Sequence, residues 1–277
     1  GSDDYLCRHQ AVADGQLSLV ERINHPVSSE TKCYAVVGTP IEDSFSPLWH
    51  HLRFCIQEQD AEYVAIDVRE EDAHAANWLW QLGFMGLSIT MPLKSVWSQS
   101  PDQPINTYAH TSSGWHMTNT DQHALETLMK HQPPQHCLVL GAGATGMMCV
   151  RTLKKRGHIP TLSHYKNNTA KEIAKENNIE YLEWKKIDTF DRFSTIISAL
   201  PFNVSHTVWE KAMHPQQRYL NLNYRHIPQT NATLISGMDF FTLQAHGQQQ
   251  FWNFHNKPTG SIYKLPIPQR TYQKNKN

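Results

Sequence analysis

Apolar and polar positions in the first hundred residues alternate between a strand rhythm and a helix rhythm. Cys33 to Val37 is a strand-forming run stopped by Gly38-Thr39-Pro40, and Leu48 to Gln59 then repeats with helical spacing. Ser46 fits the N-cap of that helix, with Pro47 at its first position. Tyr63 to Val68 predicts a second strand, and Ala73 to Leu82 a second helix whose apolar face is Ala76, Leu79, Trp80 and Leu82, ended by Gly83. Gly86 to Thr90 predicts a third strand, broken at Met91-Pro92. Such alternation implies a largely parallel sheet, where ligands gather beyond the C-terminal strand ends. Ser44, Ser46, Thr90 and Lys94 lie at or just after such ends.

From residue 98 to 121 the pattern weakens to a loop, a short Ile105-Asn106-Thr107 run and a hairpin turn at Thr111 to Gly114. A helix follows from Gln122 to Lys130, for which Asp121 reads most simply as an N-cap. Pro133-Pro134 marks a domain boundary. Beyond it come strands at 138–140, 161–163, 195–200 and 219–223, helices at 147–156 and 170–177, and a last helix from about Phe240 to Trp252. The expected division is a lead-in over 1–30, one domain over 31–132 joined by 238–256, a second over 133–237, and a loosely ordered tail over 257–277.

The most specific motif opens the second domain. Leu138-Val139-Leu140 feeds Gly141-Ala142-Gly143-Ala144-Thr145-Gly146, a G-x-G-x-x-G turn between a strand and a helix. The first glycine permits the tight turn, the second lets backbone approach a pyrophosphate, and the third lets the helix pack against the strand. The helix N-terminus then offers N–H groups to phosphates. The second half therefore reads as a Rossmann-type dinucleotide-binding domain.

Composition narrows the partners. Lys+Arg and Asp+Glu are both 25, so no basic footprint argues for nucleic acid or a membrane surface. No apolar run is long enough to span a bilayer and no signal peptide is evident, which places the protein in the cytoplasm with a small-molecule substrate. The five cysteines are widely spaced and the 17 histidines scattered, so no metal site is expected.

Six segments in order resemble one family, shikimate dehydrogenase, and within it the C-terminal half of bifunctional dehydroquinate dehydratase/shikimate dehydrogenase proteins. They are Gly38-Thr39-Pro40-Ile41 through Ser44-Phe45-Ser46-Pro47, Ser88-Ile89-Thr90-Met91-Pro92-Leu93-Lys94, Ile105-Asn106-Thr107, Asn119-Thr120-Asp121, the glycine turn, and Gly237 to Gln244 with Phe251-Trp252. The resemblance implies a two-domain α/β enzyme whose last helix returns to the first domain. It would transfer hydride reversibly between NADP and the ketone of 3-dehydroshikimate, giving shikimate in aromatic amino acid biosynthesis. By the same resemblance Lys94 and Asp121 form a catalytic dyad. Ser44 and Ser46 hold the substrate carboxylate with Tyr224 as a further contact, and Thr90, Asn106 and Gln244 meet the rest of the substrate. Gly141 to Gly146, His164, Tyr165, Lys166 and Gly237 face the cofactor. Asp14-Gly15-Gln16-Leu17-Ser18 resembles a loop near the end of type I dehydroquinate dehydratases, so a fused dehydratase half is expected in the full-length protein.

Four departures from the family pattern stand out. Asp43 replaces the usual His before the first serine, Ser88 replaces Asn, and only 26 residues separate Lys94 from Asp121, fewer than the family carries. The family's Asn-Arg-Thr is His164-Tyr165-Lys166 here, which lacks the arginine that clamps a 2′-phosphate and also the carboxylate that binds NAD ribose. Lys166 offers a point charge without the bidentate fork. NADP is the expected cofactor, with NAD the alternative. The competing functions are a quinate/shikimate dehydrogenase of altered preference and a degenerate, non-catalytic ligand-binding half.

Overall fold

The computed structural model describes residues 30–72, 74–98, 103–187, 190–201 and 210–255. The lead-in, including Asp14 to Ser18, and the 257–277 tail lie outside them. The described residues divide into two compact units: those up to 97, 107–117 and from 250 on form the first, and those within 98–106 and 118–249 form the second.

In the first unit, β1 (Lys32–Gly38), β2 (Ala61–Asp67), β3 (Gly86–Ile89), β4 (Thr107–Thr111) and β5 (Gly114–Thr118) make one sheet in the order β2-β1-β3-β4-β5. β1 pairs parallel with both β2 and β3, whereas β4 runs antiparallel to β3 and returns as the expected hairpin. The crossovers carry α1 (Ser46–Ile56) and α2 (Ala75–Gln81), and the one-turn α3 (Leu93–Val96) follows β3 where the sequence pattern suggested only a break. Strand order reverses at β1, so the ends of β1 and β3 form a topological switch point, the usual ligand position in open α/β sheets.

Trp252 anchors this unit's core. Its indole is 1% exposed, packs 4.9 Å from the Tyr34 ring and donates Nε1–H to the Tyr108 carbonyl at 2.8 Å. Gly86 is required beneath it: a Cβ there would lie 2.6 Å from Trp252 Cδ1.

The second unit holds a six-stranded parallel sheet, β11-β10-β9-β6-β7-β8, from β6 (His136–Leu140), β7 (Ile159–Ser163), β8 (Glu180–Tyr181), β9 (Thr195–Ser198), β10 (Arg218–Asn221) and β11 (Thr233–Ile235). Alternate residues of β6 feed two cores: Cys137 and Val139 pack with Val150 and Leu153 of α5 (Ala144–Lys155), while Leu138 and Leu140 pack with Phe190, Phe193 and Tyr219. Burial on both faces is why these strands are apolar runs rather than alternating patterns. α6 (Asn167–Glu176) links β7 to β8, and α7 (Gly237–His255) closes the described chain. Ser236 caps α7: its Oγ accepts from Asp239 N–H at 3.2 Å, and Asp239 Oδ2 accepts from Ser236 N–H at 2.9 Å. The helix starts in the second unit and ends in the first.

α4 (Thr120–Met129) belongs to the second unit, although Pro133-Pro134 reads as the boundary in sequence. Ala124, Leu125 and Met129 bury in the same cluster as Val139 and Leu153, and that apolar contact outweighs the prolines. Two capping expectations are corrected. The N-cap of α1 is Phe45 rather than Ser46, and the N-cap of α4 is Asn119, whose side chain accepts from Gln122 N–H at 3.1 Å, rather than Asp121.

Candidate functional site

The candidate side chains are divided between the two units. In the first, Gly38 ends β1 with φ +153°, and a Cβ there would strike Thr90 Cγ2, so glycine permits the close approach of the two strand ends. Thr39 N–H donates to the Met91 carbonyl at 2.9 Å and Leu93 N–H to the Thr90 carbonyl at 2.9 Å, which sets Lys94 one residue into α3. Thr90 and Lys94 are half-buried. Ser44 Oγ accepts from Ser46 N–H at 3.3 Å, tying the two serines together at the start of α1.

Ser46 is buried because its hydroxyl serves a different partner from a helix cap: it hydrogen-bonds Tyr63, whose O–H also donates to Ser88 Oγ at 2.5 Å. Burial pushes the Tyr63 phenol well above its ordinary range, so it is a neutral donor throughout physiological pH. Tyr63 and Ser88 thus support the serine pair. Asp43, by contrast, is exposed.

In the second unit Asn106 and Gln244, 138 residues apart, are brought together. Asn106 Oδ1 accepts from Thr120 N–H at 2.7 Å, its Nδ2 donates to Thr120 Oγ1 at 3.0 Å, and Nδ2 also reaches Gln244 Oε1 at 3.4 Å. Gln248, not foreseen from sequence, donates Nε2–H to the Asn106 carbonyl at 3.3 Å. Asp121 follows Thr120 in the first turn of α4 and is 6% exposed. Gly247 sits over Thr120, where a Cβ would lie 3.3 Å from Thr120 Cβ. The i+4 spacing of Gln244 and Gln248 was the one available signal for the second glutamine. Lys94 belongs to the first unit and Asp121 to the second.

The glycine turn follows β6 at the switch point of the second sheet, between β7 and β9. Gly141 has φ +112° and donates N–H to the Ser163 carbonyl at 2.8 Å, which fixes the turn against the end of β7. Gly143 is the N-cap of α5, exposed and extended, with no side-chain cap on the helix. Around Gly143 there is open space, whereas Gly146 presses on the Gly141 carbonyl. Uncapped N–H groups under open space suit an anion.

At the end of β7 the His164 and Tyr165 rings meet edge-on at 4.6 Å, and Lys166 Nζ lies 5.6 Å from the Tyr165 centroid. Burial, and secondarily the Lys166 charge, lowers the His164 pKa, so the imidazole favours its neutral form. After β10, the buried Asn221 amide donates to the Asn223 and His226 carbonyls, each at 3.0 Å, and shapes the loop that carries Tyr224. Gly237 is packed on Asn223 and Tyr224 with no room for a Cβ. Glu210, fully buried, supports the same loop by accepting from His226 Nε2 at 2.5 Å and Gln229 N–H at 3.2 Å. Nothing in the sequence pattern singled it out. Among the described residues no cluster of His, Cys, Asp and Glu could hold a metal ion, and no helix is long and apolar enough to cross a membrane.

Residues 36–107 match the family model for the shikimate dehydrogenase substrate binding domain. A shikimate dehydrogenase (NADP(+)) of Syntrophobacter fumaroxidans is 24% identical over 253 residues, 80% of this chain and 87% of that protein. The shikimate biosynthesis protein AroDE of Chlamydia pneumoniae is 24% identical over 267 residues, 87% of this chain but 55% of the relative. Among solved structures, a shikimate dehydrogenase crystallised with NADP+ superposes with a TM-score of 0.71 at 22% identity, covering 82% of this chain and 92% of the other. Motif order, the substrate-domain match and the likeness over four-fifths of the chain agree: the chain is similar to shikimate dehydrogenases, and its residues 36–107 match that family's substrate binding domain.

Proposed function

We propose that the protein is an NADP-dependent shikimate dehydrogenase that interconverts 3-dehydroshikimate and shikimate in the cytoplasm. The observation that carries this reading is the buried Asn106, Thr120 and Gln244 cluster, with the buried Asp121 next to Thr120 in the chain, a set of neutral donors and acceptors with one carboxylate that suits a polyhydroxylated substrate. The substrate-domain match and the likeness to a shikimate dehydrogenase (NADP(+)) support the same reaction.

The chain's residues fit the dinucleotide. Open space above Gly143 and the uncapped start of α5 suit its pyrophosphate, with Ala142, Ala144 and Thr145 completing the turn. At the ribose end, residues 163–166 contain no carboxylate to repel a 2′-phosphate, and the exposed Lys166 supplies positive charge, which favours NADP over NAD. When bound, the nicotinamide supplies or accepts the hydride.

The protein's groups handle proton and charge. Lys94 Nζ donates to the ketone oxygen, stabilises the negative charge that grows there, and delivers the proton that completes the alcohol; in the reverse direction it receives that proton. Asp121 accepts a hydrogen bond from a substrate hydroxyl and orients it. Ser44 and Ser46 present hydroxyls to the substrate carboxylate, with Tyr224 as a further donor, and Thr90 adds a hydroxyl next to Lys94. Asn106 and Gln244 read the remaining hydroxyls. We assign the substrate to residues 31–132 with 238–256, and the dinucleotide to residues 133–237.

The test is a matrix of shikimate and quinate against NADP and NAD, followed at the reduced-nicotinamide absorbance, with Lys94→Ala as control. Turnover is expected with shikimate and NADP and is expected to be lost in Lys94→Ala. No turnover in either direction with either cofactor overturns the proposal. We further propose a dehydroquinate dehydratase half in the full-length protein, on the resemblance of Asp14 to Ser18 to a dehydratase loop; a dehydroquinate dehydratase assay on the native gene product tests it.

A further inference from the structure

Amide side chains are ambiguous by themselves, since either end of the group can face a partner. At Asn106 the ambiguity is removed by a backbone group. Thr120 N–H, at 2.7 Å, can only donate, so the atom of Asn106 that meets it is Oδ1 and the atom that turns to Gln244 is Nδ2. Gln244 therefore presents Oε1 to Asn106, and its own Nε2 is the end turned elsewhere. Gln248, one helical turn further along α7, grips the same residue from behind through the Asn106 carbonyl at 3.3 Å. Asn106 itself precedes β4, donates its N–H to the Thr118 carbonyl at 3.2 Å, and is 2% exposed.

We propose that Gln248 is a positioning residue that holds Asn106 by its backbone and so keeps the Gln244 amide pointing its Nε2 donor at a substrate hydroxyl. The hydroxyl it meets is thereby required to accept, complementing the carboxylate of Asp121, to which a hydroxyl donates. Gln248 touches no substrate atom in this scheme; it acts only through Asn106. Its position on α7 supports the role, because Gln244 and Gln248 at i and i+4 share one face and both are buried. The neighbouring Gln249 provides the contrast. It is equally buried, at 3% exposure, yet among the described residues neither of its amide atoms has a partner.

The proposal rests on the dehydrogenase reading for its substrate, so its experiment begins with a measurement that needs none. Gln248→Met removes the donor at similar volume, and Gln249→Met makes the same chemical change where no hydrogen bond is made among the described residues. Backbone hydrogen exchange in residues 103–107 is expected to quicken in Gln248→Met and to stay at the wild-type rate in Gln249→Met. Equal exchange in both variants overturns the proposal whether or not the protein turns over shikimate. The second readout is kinetic: KM for shikimate is expected to rise about fivefold or more in Gln248→Met, the loss of roughly one buried hydrogen bond's worth of alignment, with kcat and NADP affinity unchanged. In a Gln244→Glu background, where the outward donor is already gone, Gln248→Met is expected to add little. Additive effects on KM in that cycle would show Gln248 acting by another route and overturn the assignment. Inactivity of the wild type with both cofactors would instead count against the proposed function, leaving the exchange result to decide on Gln248.

Discussion

Replacing each of two glycines in the nucleotide turn by alanine should separate a folding constraint from a binding constraint. At Gly146 a Cβ would fall against the carbonyl oxygen of Gly141 and 2.8 Å from its carbon, so backbone must move. Overpacking of this kind costs about 1–3 kcal/mol, and the upper end applies here because no side chain can give way. Gly143→Ala differs: its φ of −76° and ψ of −179° suit any residue, and the added methyl meets nothing within 4 Å. Its stability gain of ~0.4–1 kcal/mol from a stiffer unfolded chain is offset by ~0.5–1 kcal/mol for losing glycine at an N-cap, a net change near zero. The methyl meets a neighbour only when pyrophosphate arrives, so the same 1–3 kcal/mol overpacking cost appears as a roughly 5- to 150-fold weaker Kd. Denaturant unfolding measures the first quantity and NADPH fluorescence titration the second. A Gly143→Ala protein that binds NADPH as tightly as wild type, or a Gly146→Ala protein of undiminished stability, would refute the division of roles.

Three further outcomes follow from individual side chains. Lys94→Met should lower kcat by about 10²- to 10⁴-fold while NADPH affinity is retained, and a smaller kinetic effect would remove Lys94 from the proton-transfer role. Tyr63→Phe should cost about 0.5–1.5 kcal/mol of stability through its lost bonds to Ser88 and Ser46 and weaken shikimate binding without changing NADPH binding, both readable by calorimetry. His158 is buried with neither ring nitrogen partnered among the described residues, and burial, followed by the Arg156 charge, lowers its pKa below 6.5. The unfolded chain then binds the proton more readily, so this contribution is complete above pH 6.5 and lost as pH falls from there toward the folded-state value. His158→Phe should therefore raise Tm more at pH 5.5 than at pH 8, and an equal shift at both would contradict this account.

Elements built on local chemistry were legible in the sequence; those completed by a distant partner were not. The strand, glycine turn and helix from 138 to 156 follow from residue spacing alone, as does the hairpin at Thr111 to Gly114. Ser46 before Pro47 looks like a helix cap because serine usually is one there, but Tyr63 on β2 offers its hydroxyl a buried partner instead. In Asn119-Thr120-Asp121 three consecutive residues can cap a helix, and only the extended backbone of Asn119 decides which does. Gln248 reads as a solvent-facing residue of a polar helix until Asn106, 142 positions away, takes its donor. Glu210 is hidden in the same way, its carboxylate being satisfied by His226 and Gln229 from a loop beyond β10. β8 and β11, of two and three residues, are too short to carry a period.

A recognition cluster already bonded within itself discriminates differently from one that waits unpaired. Asn106 has its side-chain oxygen and its carbonyl occupied by Thr120 and Gln248 before any ligand is considered, so a substrate analogue lacking one hydroxyl does not strand those groups. Of the groups that face the ligand in the proposed scheme, Gln244 Nε2 and the Asp121 carboxylate then bear the larger penalty for the wrong one. A hydrogen bond to a neutral buried group contributes about 0.5–1.5 kcal/mol and one to a charged group about 1.5–3 kcal/mol. In that scheme Asp121, 6% exposed, is the stronger discriminator and Gln244 the weaker. An analogue missing the hydroxyl that donates to Asp121 should lose more affinity than one missing the hydroxyl that accepts from Gln244, and titration calorimetry with a matched deoxy pair checks the order. The reverse order would mean that Asp121 keeps its solvation in the complex and that the amides, not the carboxylate, carry the selectivity.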